Sequence, residues 1–540
     1  MPRSALASPA RLHSRPGFPP QLKQGSRKLI DAAKTFRENE ILLTGANGFL
    51  GKIILGLLLD RYPDLRHVHL LIRPRRGRSA EERFEADILQ SPAMQPLLDK
   101  YGAERIRQKV TVWPGDAAEI DDAGRQAAQW KNRVSLILNC AGLVEFFPPV
   151  DESLRANVDS VERLAALAEA IDARLLHVST CYVAGRADGV VEETEPIAGF
   201  YPRRTGPADE SFDAAAELQS CRERIAEIAA RDNAAPRSRQ TAEALIELGR
   251  QRAQRWGWVN TYTYGKSLGE QMLVREAARS GLEYAIVRPA IVESSLQFPF
   301  PGWIEGGRTA APLVLMALGG LKEWPMRRDI ALEVVPVDQV AAATLAVAAL
   351  LLEGQHARDA APVYQLATAD QNPFELEDLV TLLDAEAGKQ SSNGGTRPPL
   401  WLDPLRRLRF LSAAQVVEHR RKLQRRLDAA RGVAETIAAS RLPGNRAAAR
   451  WSAALRTLGL QASFRGQTLD QYLPFILENR YIFETHNIRQ AYELLSDADR
   501  EKLPWSPEKI DWRRYWIENQ IGGIRKWVQP EAVREWKFSL

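Results

Sequence analysis

The chain of 540 residues is 45% apolar and 26% charged, with 35 glycines and 32 prolines. These proportions belong to ordinary globular protein and exclude collagen-like, wholly disordered and disulfide-framework readings. Three cysteines (Cys140, Cys181, Cys221) cannot staple so long a chain and point to a reducing compartment, and a net charge of +5 says little about partners until its placement is seen.

Residues 1–36 are rich in Pro, Ser and basic residues without periodicity, and they predict a disordered basic tail. Arg3, Arg11 and Arg15 are followed by no apolar core of a signal peptide. From Glu38 the texture changes. Ile41–Thr44, Val68–Ile72, Val110–Val112, Val134–Asn139, Leu175–Ser179, Tyr284–Arg288 and Val363–Leu366 are short apolar runs bounded by turn or polar residues. Helical patterns such as Lys52–Leu59 and Val158–Ile171 separate most of them. Near-continuous apolar strands alternating with helices predict an α/β fold of the Rossmann type, a doubly wound parallel sheet covered on both faces.

A helical insertion at about 200–258, broken near Pro236, interrupts the alternation; it reads either as a substrate lid or as a surface elaboration. Residues 385–400 read as a linker. The expected organisation is therefore a cofactor-binding domain at 37–390 and a mostly helical C-terminal domain at 391–540. Between Pro404 and Arg431 stand nine basic and two acidic residues, a candidate for peripheral membrane contact through 405–431, for an acyl-carrier protein, or simply a solvated helix face. No apolar run reaches the ~18–20 residues of a membrane span, which predicts a cytoplasmic protein. No metal-ligand spacing is found among the seven histidines, and neither metal nor nucleic acid is expected.

The chemistry begins where the first strand runs into Gly45, Gly48 and Gly51. The three glycines make a tight turn, admit a pyrophosphate to the backbone and let the next helix pack closely; the helix N-terminus offers its amides to phosphate. Thr44, Asn47, Phe49 and Leu50 complete this candidate cofactor turn. The second strand ends Arg73-Pro74-Arg75 with no carboxylate until Glu81. Arginine suits a 2′-phosphate through charge and its planar fork of donors, so NADPH is expected. Asp116, after the third strand, reads as a partner for adenine or as a turn residue. Asn139 and Ala141 end the fourth strand beside the cofactor path, and Ser179 and Thr180 end the fifth at the edge where ligands of such sheets bind.

Tyr262 and Lys266 are four residues apart and share a helix face. A phenol titrates near 10 and needs help to act as an acid. A lysine one turn away would lower it and can hold the nicotinamide ribose hydroxyls, and a neighbouring hydroxyl would share a developing oxyanion.

Together these features resemble the extended short-chain dehydrogenase/reductase superfamily. Thr44–Lys52, Val287–Val292 and Pro299-Phe300-Pro301-Gly302-Trp303-Ile304 resemble its fatty acyl-CoA reductases, the male-sterility-type proteins. Phe483–Arg489, Asp511–Trp516 and Gly523–Trp527 resemble that family's C-terminal region. The resemblance implies Thr180, Tyr262 and Lys266 as the catalytic trio, Arg73 and Arg75 at the 2′-phosphate, and Pro289 with Val292 near the nicotinamide. It implies NADPH-dependent reduction of a fatty acyl-CoA through an aldehyde to a primary alcohol. Rival expectations are reduction that stops at aldehyde, an acyl-carrier-protein substrate, an epimerase or reductase of nucleotide sugars, or a membrane-peripheral binding protein on an inactive fold. An acyl-cysteine route through Cys181 is disfavoured, because hydride transfer to a thioester needs no nucleophile.

Overall fold

The computed structural model describes residues 29–120, 125–206, 208–232, 237–307, 309–355, 362–392, 408–439 and 445–528. In chain order the strands are β1 (Glu40–Thr44), β2 (His67–Ile72), β3 (Val110–Pro114), β4 (Val134–Asn139), β5 (Arg174–Val178), β6 (Asp188–Val191), β7 (Tyr284–Pro289), β8 (Ile291–Glu293), β9 (Glu323–Pro325), β10 (Val334–Pro336), β11 (Val363–Leu366), β12 (Arg409–Leu411) and β13 (Arg480–Phe483). Seven form one sheet in the order β11-β7-β5-β4-β1-β2-β3, every pair parallel. These are the seven runs expected from the sequence, to within two residues at each end.

Both faces of the sheet are buried. Ile41 and Leu43 point into one core and Leu42 into the other, as the two-residue period of a strand requires. The first core holds the helix Phe49–Arg61 against Val337–Leu352, a helix buried at every residue. A helix apolar on all sides belongs inside a protein, and this one starts after Pro336 and stops at Glu353-Gly354. The second core holds Ser160–Ile171 and Thr261–Ser280. The order of the strands reverses between β1 and β4, which opens a crevice at their carboxyl ends.

Three expectations need correction. The tail does not extend to residue 36: Ala32–Glu38 is a helix capped by Asp31, with Ala32, Thr35 and Phe36 buried. Ile30 donates its N–H to Leu494 O, and Ala32 to Asp499 Oδ2, so a distant segment supplies the order that local composition does not. Residues 1–28 lie outside the described residues. The linker is corrected too, because Leu376–Ser392 is one helix; Ala385, Glu386, Ala387 and Lys389 are adequate helix formers. Residues 393–407 lie outside the described residues, including Leu405, Arg406 and Arg407 of the basic stretch. Finally, residue 390 does not divide two cores. The C-terminal region is mostly helical, yet β13 lies parallel to β6, β12 parallel to β9, and Phe483, Ile488 and Leu495 join the first core.

The insertion forms two helices, Ala214–Ala229 capped by Asp213 and Arg239–Trp256 capped by Ser238. The break expected at Pro236 falls outside the described residues. Cys221, Leu245 and Trp258 pack around Tyr264. Farther on, Ala413–Ala439 and Asn445–Leu473 form a long helical hairpin. Among the described residues no helix is long and apolar enough to cross a membrane.

Candidate active site

The glycine turn is packed so tightly that each glycine is accounted for. Gly45 has φ +72°, and a Cβ there would stand 2.7 Å from the backbone of Cys140 and Ala141. One on Gly51 would stand 2.1 Å from Gly45 O. Gly48 caps the helix Phe49–Arg61 with no side-chain hydrogen bond, leaving first-turn amides for an anion. Behind the turn, Thr44 Oγ1 donates to Asn139 Oδ1 at 2.7 Å, and the Ala141 N–H meets both oxygens at 3.3 Å. Asn139 in turn meets His177 Nδ1 at 3.1 Å. This lattice clamps the ends of β1, β4 and β5 together. The backbone-only cradle and uncapped helix fit a dinucleotide pyrophosphate.

At the ends of β2 and β3, Arg73 donates to Asp116 at 3.0 Å, and Arg155 donates to the same carboxylate at 2.9 Å. Burial raises the Asp116 carboxyl, but the Ala118 N–H and the two guanidinium groups outweigh it and hold it below its ordinary value. Asp116 is thus more than a turn residue: it orients Arg73. Arg75 is exposed on the turn Arg75–Arg78, whose centre, Arg76 and Gly77, has positive φ. The Asn47 side-chain amide lies against the Arg83 guanidinium.

A cavity of about 410 Å³ opens beside the glycine turn. It gathers Gly45, Gly48, Phe49, Leu50, Gly51, Thr180, Tyr262, Lys266, Pro289 and Val292 of the expected site. Tyr262 and Lys266 lie in the first turns of Thr261–Ser280, a helix capped by Asn260. Tyr264 faces away, donating to Glu217 at 2.8 Å. Lys266 Nζ donates to Val178 O at 2.9 Å and stands close to Gly142. Thr180 Oγ1 donates to Pro289 O at 3.3 Å.

One electrostatic expectation is reversed. Burial pushes the Tyr262 phenol up to about 12; the Thr180 hydroxyl pulls it back in part, and Lys266 is not among the groups that lower it. Burial likewise brings Lys266 down to about 8. The ammonium is spent on the Val178 carbonyl rather than on the phenol. Cys181 donates its thiol to Arg288 O at 2.8 Å, and burial raises it well above its usual range, so it offers no nucleophile.

The rest of the cavity is apolar. Phe146, Leu313, Trp324, Leu379, Phe475 and Trp516 line it among others, and no insertion residue does, which leaves the lid reading without support among the described residues. Sequence reasoning named residues at the glycine-turn end of this cavity. Trp516 lines the cavity, Trp512 and Tyr515 pack against one another, and Trp536 lies outside the described residues. It missed the walls from Ala311–Leu318 and Leu376–Ser392, whose only signal is an apolar helical stripe that core packing would equally produce. It also missed Lys52, buried directly after the last glycine with its ammonium 2.6 Å from Glu305 at the cavity rim. The motif Pro299–Ile304 docks the C-terminal region: Trp303 packs on Phe49, and Gly302 meets the Asn519 backbone too closely for any Cβ. Asn519 donates to Ser295 O and Leu296 O. The N-terminal and C-terminal motifs occur together because they touch.

The sequence profile of the male sterility protein family, an NAD-binding domain, matches residues 43–344. The chain belongs to the fatty acyl-CoA reductase family of extended short-chain dehydrogenases/reductases. Fatty acyl-CoA reductase 2, chloroplastic, of Arabidopsis thaliana is 32% identical over 377 residues, 66% of this chain and 59% of that one. Alcohol-forming fatty acyl-CoA reductase of Simmondsia chinensis is 28% identical over 63% of this chain and 70% of its own. Fatty acyl-CoA reductase 1 of Rattus norvegicus is 25% identical but spans 94% of this chain and 87% of its own. The terminal R domain of the myxalamid pathway aligns over 90% of both chains with a TM-score of 0.50 at 16% identity, a likeness of fold. As a member of this reductase family, the chain is an oxidoreductase that uses a nicotinamide cofactor. Among the described residues no cluster of metal-ligating side chains occurs.

Proposed function

We propose that this reductase converts long-chain fatty acyl thioesters, acyl-CoA first among them, through the aldehyde to the primary alcohol, with NADPH as reductant. The observation that carries the reading is one cavity with two characters: hydroxyl, phenol and ammonium beside the glycine turn, and an apolar chamber beyond. The relatives' names support it, one of them alcohol-forming. The cofactor, when bound, supplies hydride to the thioester carbon.

The Tyr262 phenol, still protonated far above neutrality, gives its proton to the carbonyl oxygen. The Thr180 hydroxyl shares the developing charge. Collapse of the hemithioacetal expels coenzyme A as its thiol, and the same two hydroxyls serve the aldehyde in a second round. Lys266 fixes the end of β5 through Val178 and keeps a positive charge beside the reacting centre. Arg73, oriented by Asp116, and Arg75 are assigned to the 2′-phosphate; Thr44, Asn139 and Ala141 shape the turn behind it.

Purified protein with palmitoyl-CoA and NADPH should yield hexadecanol by mass spectrometry. Aldehyde accumulating without alcohol would remove the second step, and equal use of NADH would remove the cofactor assignment. Tyr262→Phe should cost at least ~10²-fold in turnover. Acyl-carrier-protein thioesters run beside acyl-CoA decide the donor. We further assign the helical hairpin, with its cations and exposed apolar residues, to contact with an anionic lipid surface.

A further inference from the structure

Beyond the catalytic end, the cavity is bounded by a graduated wall. Leu376, Leu379, Val380 and Leu383 of the helix Leu376–Ser392 all line it, at the spacing that keeps residues on one helix face. The near end of this helix is tied to the catalytic edge. Leu376 donates its N–H to Ile330 O and Leu332 donates to Phe374 O, while β10, two residues on from Leu332, pairs with β8, which starts two residues after Pro289. At its other end the same helix face shares an apolar cluster with Trp324. Asp384, next to Leu383, is ion-paired with Lys322, and two residues on from Lys322 Trp324 lines the same cavity, 2% exposed. Its indole N–H donates to Leu321 O at 3.2 Å, so the ring is held in place.

We infer that Trp324 and Leu383 form the floor of an acyl chain-length gauge, with the helix Leu376–Ser392 as its wall. The inference rests on reading this cavity as the acyl thioester site. A tail whose carbonyl lies at Thr180 and Tyr262 runs along the wall; the seven helical steps from Leu376 to Leu383 cover about 10 Å of it. None of the five named residues carries a charge, so burial of each further methylene raises affinity until the tail meets the ring, after which lengthening is resisted by close packing.

The test is the ratio of kcat/KM across saturated acyl-CoAs from octanoyl to eicosanoyl, together with quenching of tryptophan fluorescence by the corresponding free fatty acids, which needs no turnover. Leu383→Phe, which raises the floor, should lower the long-to-short ratio roughly fourfold for each methylene excluded, in both readouts. Trp324→Ala should move the optimum to longer chains; if it does not fold, Leu379→Ala takes its place as the enlarging variant. A Leu383→Phe protein with wild-type melting and an unchanged ratio in both readouts overturns the gauge. If wild-type protein reduces no acyl-CoA yet binds fatty acids with a length preference that Leu383→Phe shifts, the gauge stands and the proposed reduction falls. If it neither reduces acyl-CoA nor binds fatty acid, both fall.

Discussion

Lys266 is the residue whose behaviour departs most from its sequence signature. Four residues after Tyr262 it was expected to act on the phenol, and the pair does share one cavity. Burial changes the sign of the argument: the phenol rises to about 12 and the ammonium falls to about 8. At neutral pH both groups carry the proton they need, but with unequal margins. As pH rises, Lys266 loses its charge first, through about 8, long before the phenol ionises. We therefore expect kcat/KM for a long-chain aldehyde to fall through an alkaline limb near pH 8 that belongs to the lysine, since this parameter reports groups of the free enzyme. Lys266→Arg, which stays charged, should abolish that limb even where it lowers the rate. A profile flat to pH 10 in the wild type would show that the charge takes no part. The spacing was legible from the sequence. The burial was not, because it depends on Val178, Cys140 and Gly142 arriving from other strands.

Among the elements, the seven strands of the sheet were readable because burial on both faces writes a continuous apolar run. The short strands were not. β6 and β13 pair across almost 300 residues, and Arg480–Phe483 alone gives no hint of its partner. What seats β13 is Glu333, 2% exposed, a residue with no sequence signal at all. Its Oε1 accepts the Phe483 N–H at 2.8 Å, and its Oε2 accepts those of Thr368 and Ala369 at 3.1 Å. Burial raises the carboxyl to about 7 in spite of these three donors. An acid raised in the folded state stabilises most below its unfolded value, near 4.5, and that contribution is lost as pH climbs through about 7. Glu333→Gln would turn an NH₂ group onto a backbone N–H and should cost about 2 kcal/mol, read as a lower Tm. It should also remove this residue's share of the fall in Tm between pH 6 and 8. Wild-type melting, or an unaltered pH slope, would show that β13 is seated by its apolar side chains alone.

At the scale of the whole molecule, the sheet, the glycine turn and the Tyr262–Lys266 spacing were legible, and the apolar chamber was not, since its walls come from five separate stretches, 310–314, 324–334, 376–383, 472–476 and Trp516. The basic stretch was legible only as charge; the structure gives it a shape. Ala413–Ala439 packs on Asn445–Leu473, held by Arg420 on Asp470 at 2.6 Å, and rests at its base on β9 through Arg409 and His419, both on Glu323. Arg421 and Arg425, and likewise Lys422 and Arg426, are like charges one turn apart on the exposed side, an arrangement that costs a few tenths of a kcal/mol per pair in water. Val417, Val433 and Trp451 are 58%, 62% and 69% exposed on the same hairpin. Cations beside exposed valine and indole suit an anionic lipid interface, where each basic residue contributes about 1 kcal/mol at low ionic strength and tryptophan settles at the headgroup level. The base of the hairpin, where Arg420 meets Asp470, also brings Tyr472 to the chamber, so a docked hairpin would join the apolar cavity to a source of apolar substrate. The protein should sediment with phosphatidylglycerol vesicles at low salt and be released at high salt. The triple variant Arg421→Glu, Arg425→Glu, Arg426→Glu should abolish binding, while Trp451→Ala should weaken it without changing its salt dependence, because the indole contributes burial and not charge. No sedimentation at low salt would return the hairpin to the solvent, and binding equally strong to neutral phosphatidylcholine would assign the contact to the apolar residues alone.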